Sequence, residues 1–144
     1  MIFTYSNIAL AVSVIFLALV ILYVVKYYPR KLKQSNFVAN WKKIQNFCKD
    51  KKTWPKALEE ADGLLRSALK KKKFKGKSMG EKMVSAQRLF TDNDSLWYAH
   101  NLYKKVTAKD SKKRLKESEV KDALIGFRQA LRDLGALPKD GTKG

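Results

Sequence analysis

The chain of 144 residues carries a formal net charge of +18 and has an isoelectric point of about 10.0. Its length allows one small domain with a hydrophobic core and is too short for two. Cys48 is the only cysteine, which excludes an intramolecular disulfide and a cysteine-based zinc site and is consistent with a reducing cytoplasm. So strong a positive charge predicts attraction to an anionic partner, either nucleic acid or an anionic membrane surface.

The first element is the apolar stretch 8–25, IALAVSVIFLALVILYVV, which contains no charged residue. As a helix, its 18 residues cover about 27 Å, close to the hydrocarbon thickness of a bilayer. A helix satisfies its own backbone hydrogen bonds, and the bilayer core offers no other partner for them. We therefore predict one transmembrane helix over residues 1–28, ended by Pro29.

A cleaved signal peptide is the alternative interpretation of this stretch. Such a peptide has a basic start, a shorter apolar run and small residues at its cleavage site. Residues 1–25 contain no Lys or Arg, and the run ends in Tyr23, Val24 and Val25, so an uncleaved anchor is favoured. Cations follow the span immediately, which predicts an inner-membrane protein with its N-terminus outside and its C-terminal domain in the cytoplasm. The cations predicted to bind anionic lipid headgroups are Lys26, Arg30, Lys31 and Lys33.

Beyond the span, we predict a basic connector over residues 29–36, a helical bundle domain over 37–138 and a disordered tail over 139–144. Apolar residues recur at spacings of three and four in five stretches, which is typical of helices that bury one face. Cys48 lies on the first of these apolar stripes and is predicted to be a buried small side chain without chemistry. The predicted fold class is all-α, with an N-terminal transmembrane helix followed by a small bundle of about five helices.

The second stretch of the bundle opens with Thr53 as the predicted N-cap and continues as an amphipathic helix to the lysine run at 70–73. Glu59 and Glu60 are adjacent and project about 100° apart, so they do not form a paired-carboxylate site. Asp62 is predicted to pair with Arg66 one turn further on. We interpret all of these acids as charges on a solvated face.

The loop KFKGKSMGE superficially resembles a phosphate-binding P-loop, but Lys71 stands where the first glycine of that motif is required. Ser78 and Glu81 instead have the spacing of a capping box.

The next stretch contains His100, the only histidine, which cannot form a metal site alone and is predicted to be a hydrogen-bonded core residue. In the last stretch, Gly135 stands where a left-handed helix cap is favoured.

Two further groups of cations remain available for a second anionic partner, RNA or an acidic protein. The predicted anion-binding residues are Lys70, Lys71, Lys72, Lys73, Lys75, Lys77, Lys104, Lys105, Lys112, Lys113 and Arg114. Residues 104–116 are expected to form a solvated basic connection. Charge alone does not separate lipid from nucleic acid, and the oligomeric state is left open. No metal, cofactor or catalytic residue is predicted.

Five segments taken together resemble a group of small bacterial proteins with one N-terminal membrane helix, and that group is similar to the HEPN-type helical fold. They are Trp54, ALEEADGLL, GKSMGE, LWYAHNLYKKVTA and ALIGFRQALRDLGAL. Within the central motif of that group, Ala99, His100 and Leu102 are present. The Arg and His of the HEPN ribonuclease motif are absent, because Tyr103 and Ala108 stand in their places, and Lys104 replaces an Asn. The resemblance implies the fold without the nuclease activity.

The sequence therefore predicts a membrane-anchored, strongly basic interaction module that acts by binding an anionic partner and not by catalysis. The alternative is a membrane-tethered HEPN-like enzyme that binds or cleaves RNA. That alternative requires a base and a phosphate-binding arginine in one pocket, and His100 with Arg88 is the one pairing that the sequence suggests.

Overall fold

The computed structural model describes residues 2–28 and 31–139, and within these ranges it contains six α-helices, a short 3-10 helix and no strand. The all-α prediction, with an N-terminal apolar helix followed by a helical bundle, is confirmed. The helices are α1 Ile2–Tyr27, α2 Gln34–Phe47, α3 Trp54–Lys71, α4 Met79–Ser85, α5 Asn93–Thr107 and α6 Glu117–Asp133, with the 3-10 helix at Lys51–Thr53. The chain divides into two units, Met1–Arg30 and Lys31–Gly144.

In the first unit, α1 is one continuous helix whose described apolar side chains are exposed on every side. The segment Thr4–Tyr27 is long and apolar enough, by length and composition, to cross a membrane. The Ser13 hydroxyl donates to the Ala9 carbonyl at 2.9 Å, which satisfies this polar group within the helix itself. At the carboxyl end, the Tyr23 and Tyr27 rings lie 4.8 Å apart and the Lys26 ammonium lies over the Tyr27 ring.

In the second unit, α3 is the central helix, because α2, α4, α5 and α6 all pack against it, and α5 and α6 pack closely on each other. The apolar stripes that the sequence predicts face this common core. Its largest fully buried apolar side chains are Phe37, Ile44, Leu58, Leu65, Leu69, Met83, Leu96, Phe127, Leu131 and Leu134. Burial of these side chains is the main contribution to the stability of the bundle, since burying each one stabilises the fold by roughly 1.5–3 kcal/mol.

The start of the bundle differs in detail from the predicted connector. Leu32 is buried in the core and α2 begins at Gln34, so part of the stretch 29–36 is already folded into the bundle. Lys31 and Lys33 lie exposed on either side of Leu32. Pro29, Arg30 and residues 140–144 lie outside the described residues. Pro29 is the predicted end of the span, Arg30 is one of the predicted lipid contacts, and residues 140–144 are most of the predicted tail.

Capping follows the sequence at one helix and departs from it at another. In α4 the capping box is confirmed, since Ser78 Oγ accepts from the Glu81 amide at 3.1 Å and the Ser78 amide donates to Glu81 Oε2 at 3.4 Å. Thr53 is the N-cap residue of α3, as predicted, but it makes no side-chain capping hydrogen bond. Its hydroxyl donates to the carbonyls of Phe47 and Asp50 at 2.5 and 2.9 Å, because those acceptors at the end of α2 and in the following turn are within its reach.

Candidate anion-binding surfaces

One end of the bundle is formed by the start of α2, the carboxyl end of α3 and the segment after α6. The Lys71 ammonium lies 5.3 Å from the centre of the Phe37 ring, which joins α3 to α2. The Gln34 side-chain amide donates to the Gly135 carbonyl at 3.2 Å, which joins α2 to the end of α6. We call residues 31–37, 70–74 and 135–137 the proximal end, because the described part of the bundle begins there.

The proximal end is rich in lysine. Lys31 and Lys33 are exposed beside the buried Leu32, and the last two residues of α3 with the two residues after it add a run of four cations. Within that run, Lys70, Lys71 and Lys73 are exposed and Lys72 is half-buried. The structure thus brings together two groups that the sequence analysis assigned to different partners, lipid for the first and a second anionic partner for the run.

The opposite end combines the start of α3 with the loop between α5 and α6. Lys113 and Arg114 line a cleft of about 290 Å³ together with Lys51, Trp54 and Pro55. We call residues 48–55 and 104–116 the distal end. Leu115 is buried and Lys104 and Lys105 belong to α5, so the predicted solvated connection 104–116 is in part helix and in part core.

An ion pair orders the distal loop against α6. Lys113 Nζ lies 2.9 Å from Glu119 Oε2, and Glu119 Oε1 accepts from the Lys116 amide at 3.1 Å. The hydrogen bond from Lys113 and the one from the backbone amide hold the pKa of Glu119 below its ordinary value. Because the folded pKa is lowered, this stabilisation is present above the ordinary pKa and is lost as the pH falls through the folded value. Lys113 is therefore engaged within the protein, whereas the Lys112 and Arg114 side chains are exposed.

The two ends are separated by the length of α3, whose 18 residues extend over about 27 Å. The two groups of cations that were predicted to bind the same second partner therefore lie in two separate places. Lys75 and Lys77 follow the proximal run in the loop to α4, where Gly76 has a φ of +151°. A Cβ atom at Gly76 would lie 2.6 Å from the Lys82 backbone nitrogen, so the glycine that suggested a P-loop is required by the turn.

A buried carboxylate and imidazole lie at the interface of α3 and α5. Asp62 and His100 are 1% and 5% exposed, and Asp62 Oδ1 lies 2.7 Å from His100 Nδ1. Asp62 Oδ2 lies 3.6 Å from Arg66, so the predicted pairing with Arg66 is present, but the prediction that Asp62 is solvated is wrong. Glu59 and Glu60 do lie on the solvated face, where they pair with Lys56. His100 is a hydrogen-bonded core residue, as predicted.

The partner of His100 has no signal in the sequence, because Asp62 lies 38 residues earlier and on another helix. The rings of Trp97 and Tyr103 flank the imidazole at 6.1 and 6.3 Å. Arg88, which the alternative function requires as a phosphate ligand, is exposed. Among the described residues, no group of three His, Cys, Asp or Glu side chains could hold a metal ion.

The lone cysteine lies on the α2 side of the bundle, next to an open groove. Cys48 is half-buried, its thiol donates to the Ile44 carbonyl at 3.3 Å, and burial raises its pKa, which disfavours a reactive thiolate. A groove of about 410 Å³ between α2 and α6 is lined by Trp41 and Trp54 with Lys121 and Arg128 at its rim. The buried Trp41 Nε1 has no hydrogen-bond partner.

Comparison with known proteins identifies no relative. No family model, no curated protein and no solved structure matches the chain.

Proposed function

We propose that this protein is a single-pass membrane protein whose basic helical domain lies in the cytoplasm and binds an anionic partner without catalysing a reaction. The observation that carries the proposal is the distribution of charge. All 31 Lys and Arg residues follow residue 25, directly after an exposed apolar helix long enough to span a bilayer. By the positive-inside rule, such a flank faces the cytoplasm.

The anionic inner leaflet is the nearest partner available to the first cations. Lys26, Arg30, Lys31 and Lys33 would each gain about 1 kcal/mol beside anionic headgroups, as an upper figure because they compete for the same lipids. An anchor and a polybasic flank acting together hold a domain at a membrane surface more firmly than either alone.

The distal end supports binding of a second, soluble anion. Its cleft is lined by Lys51 and Arg114 together with the half-buried Trp54, and a site that combines cations with an aromatic residue suits single-stranded nucleic acid. RNA is therefore the second partner that we propose for this end. An acidic protein would use the same cations without the aromatic ring.

The test is the salt dependence of RNA binding by the full chain in neutral nanodiscs. With a fluorescent single-stranded RNA, the logarithm of the affinity should fall linearly with the logarithm of salt concentration between about 50 and 200 mM, because binding releases counterions. Replacing Lys51 and Arg114 by Gln should reduce that slope, whereas the same change at Lys42 and Lys43 on α2 serves as the charge-matched control. Salt-independent binding would contradict an electrostatic surface and indicate a specific pocket.

A catalytic alternative is favoured by one observation, the Asp62–His100 pair. A carboxylate that holds one imidazole nitrogen leaves the other free to act as a base, as in many hydrolytic sites. A membrane-tethered, HEPN-like ribonuclease is therefore the second candidate function. It predicts that the wild-type chain cleaves labelled RNA at low salt and that a folded His100→Gln variant does not, a loss of about 10²- to 10⁴-fold.

A further inference from the structure

We infer that the carboxyl end of α3 belongs to the lipid-contacting surface: Lys70, Lys71 and Lys73 meet the same anionic headgroups as Lys31 and Lys33. This inference rests on the proposed function, which brings the first cations of the bundle to an anionic membrane. It reassigns the run 70–73, which charge patterning alone assigns to a soluble partner. It also leaves the distal end as the part of the bundle that is free for a soluble anion.

Lys31 and Lys33 have fixed positions on the surface of the folded bundle. Leu32 between them is 7% exposed and packs into the core, so the two lysines are fixed to the bundle surface and are not part of a loose linker. Both side chains are exposed. A lipid surface that meets these lysines therefore also meets the part of the bundle surrounding them.

The carboxyl end of α3 lies at the same end of the bundle as these lysines. Lys71 Nζ lies 5.3 Å from the Phe37 ring, and Phe37 is one helical turn after Lys33, a rise of about 6 Å. Both lysines therefore lie around the first turn of α2, at one end of the bundle. An anionic surface that attracts Lys33 therefore also attracts Lys71 and its exposed neighbours on the same turn.

Lys73 has a φ of +64° at the cap after α3. The Phe74 amide donates to the Leu69 carbonyl at 3.1 Å and the Lys73 amide to the Lys70 carbonyl at 3.0 Å, which is the hydrogen-bond pattern of a Schellman motif. Glycine is the residue that this conformation favours, and a lysine there is under backbone strain. A cation held at this position despite its strain is consistent with a surface on which charge is used.

The proximal and distal ends of the bundle are far apart. The distal end lies about 27 Å from the proximal end along α3, roughly three Debye lengths. Headgroup attraction is negligible at that distance from a leaflet, so the distal cations of a bundle that contacts the leaflet only by its proximal end do not bind lipid.

The experiment measures lipid proximity at matched positions in the full chain reconstituted into vesicles. In a Cys48→Ser background, Lys70→Cys and Lys112→Cys each remove one exposed cation and accept one fluorescent label, and Lys33→Cys reports on the start of the bundle. The vesicles are phosphatidylcholine with or without phosphatidylserine, and a spin label on the lipid headgroup quenches any fluorophore near it.

We expect quenching at positions 33 and 70 with phosphatidylserine, loss of most of the quenching at 70 without phosphatidylserine, and none at 112. Equal quenching at 70 and 112, no quenching at 70, or quenching at 70 that is indifferent to phosphatidylserine would each overturn the inference. Quenching at 33 without quenching at 70 would overturn it while sparing the proposed lipid contact. Absence of quenching at both would refute the lipid contact itself. Tryptophan emission reports folding of each variant, since Trp41, Trp54 and Trp97 all belong to the bundle.

Discussion

At the scale of single residues, two helix ends in the bundle share one backbone conformation and differ in the residue that adopts it. After α6, Gly135 has a φ of +80°, and the amides of Gly135 and Ala136 donate to the Arg132 and Leu131 carbonyls. After α3, Lys73 occupies the same position with a φ of +64°. Because a Cβ atom is unfavourable there, the first cap is relaxed and the second is strained.

Replacing Lys73 by Gly should therefore stabilise the bundle by about 1 kcal/mol, since it removes the left-handed penalty of a side-chain-bearing residue. The measurement is thermal unfolding of the full chain followed by tryptophan fluorescence, which reports on the bundle alone. Gly135→Ala is the matched control and should destabilise by a similar amount, because its positive φ opposes a side chain although the space around it is open. A destabilising Lys73→Gly substitution would show that the lysine contributes a contact worth more than its strain.

The Asp62–His100 pair is the other feature that is decided residue by residue. Removing one partner leaves the other buried and incompletely hydrogen-bonded, which typically costs about 1–3 kcal/mol and more for a charged group. His100→Ala should therefore destabilise by about 3 kcal/mol, because a carboxylate that is 1% exposed would keep only Arg66 at 3.6 Å.

A double-mutant cycle with Asp62→Ala separates this pair from the packing around it. We expect a coupling energy of about 1–3 kcal/mol between the two sites by chemical denaturation. Additive losses would show that the two side chains are stabilised independently. Glu60→Ala is the solvated control and should leave stability nearly unchanged, because Glu60 pairs with Lys56 at an exposed site.

At the scale of elements, the backbones of α5 and α6 approach each other closely at Gly126. A Cβ atom placed there would lie 2.6 Å from the Ser95 carbonyl oxygen and 3.0 Å from its carbon, and both are backbone atoms that cannot turn away. The glycine therefore allows the two helix backbones to pack without an intervening side chain. That contact places Ala99 and His100 against the rest of the core.

Gly126→Ala should separate α5 from α6 and cost about 1–3 kcal/mol, the usual range for an overpacked contact. Gly63 on α3 is the matched control, since it is also helical but a methyl group added there would have no neighbouring atom within 4 Å. Gly63→Ala should stabilise by about 0.5–1 kcal/mol through helix propensity. If both substitutions shift the unfolding midpoint in the same direction, the close approach of α5 and α6 is not what requires glycine at 126.

At the scale of the whole molecule, hydrophobicity and charge are separated along the chain. The exposed apolar surface of α1 requires a nonpolar environment, since soluble monomers rarely expose so continuous an apolar surface. The charge lies entirely on the other side of residue 25. These two properties together predict that the chain is oriented in the membrane and that its bundle meets anions on the cytoplasmic side.

Protease added to intact spheroplasts should therefore leave residues 26–144 uncut, because the proposed orientation has the basic domain inside. Permeabilised spheroplasts provide the control, where trypsin reaches the many exposed Lys and Arg residues and digests the domain. Fragments released from intact spheroplasts would reverse the proposed orientation, and release of the whole chain by alkaline carbonate would contradict the anchor.

Much of the fold follows from the sequence alone, because its signals act within a few residues. The apolar stretch 8–25 requires a helix in any nonpolar solvent, the stripes repeat at the helical period, and Ser78 and Glu81 cap α4 across one turn. Even so, a local signal can fail where another acceptor competes. Thr53 is an example, since its hydroxyl donates to the carbonyls of Phe47 and Asp50 and does not accept from an amide of α3.

The tertiary structure decides what depends on how helices cross. Asp62 meets His100 from 38 residues away, Gly126 faces the Ser95 backbone, and the cations divide between the ends of α3. None of these pairings has a local signature, because a helical pattern determines which residues share a face but not which faces meet or in which direction the helices run. The sequence by itself determines that this chain has an apolar helix and a basic helical bundle, whereas the antiparallel packing of α2 on α3 decides that Lys33 and Lys71 lie at one end.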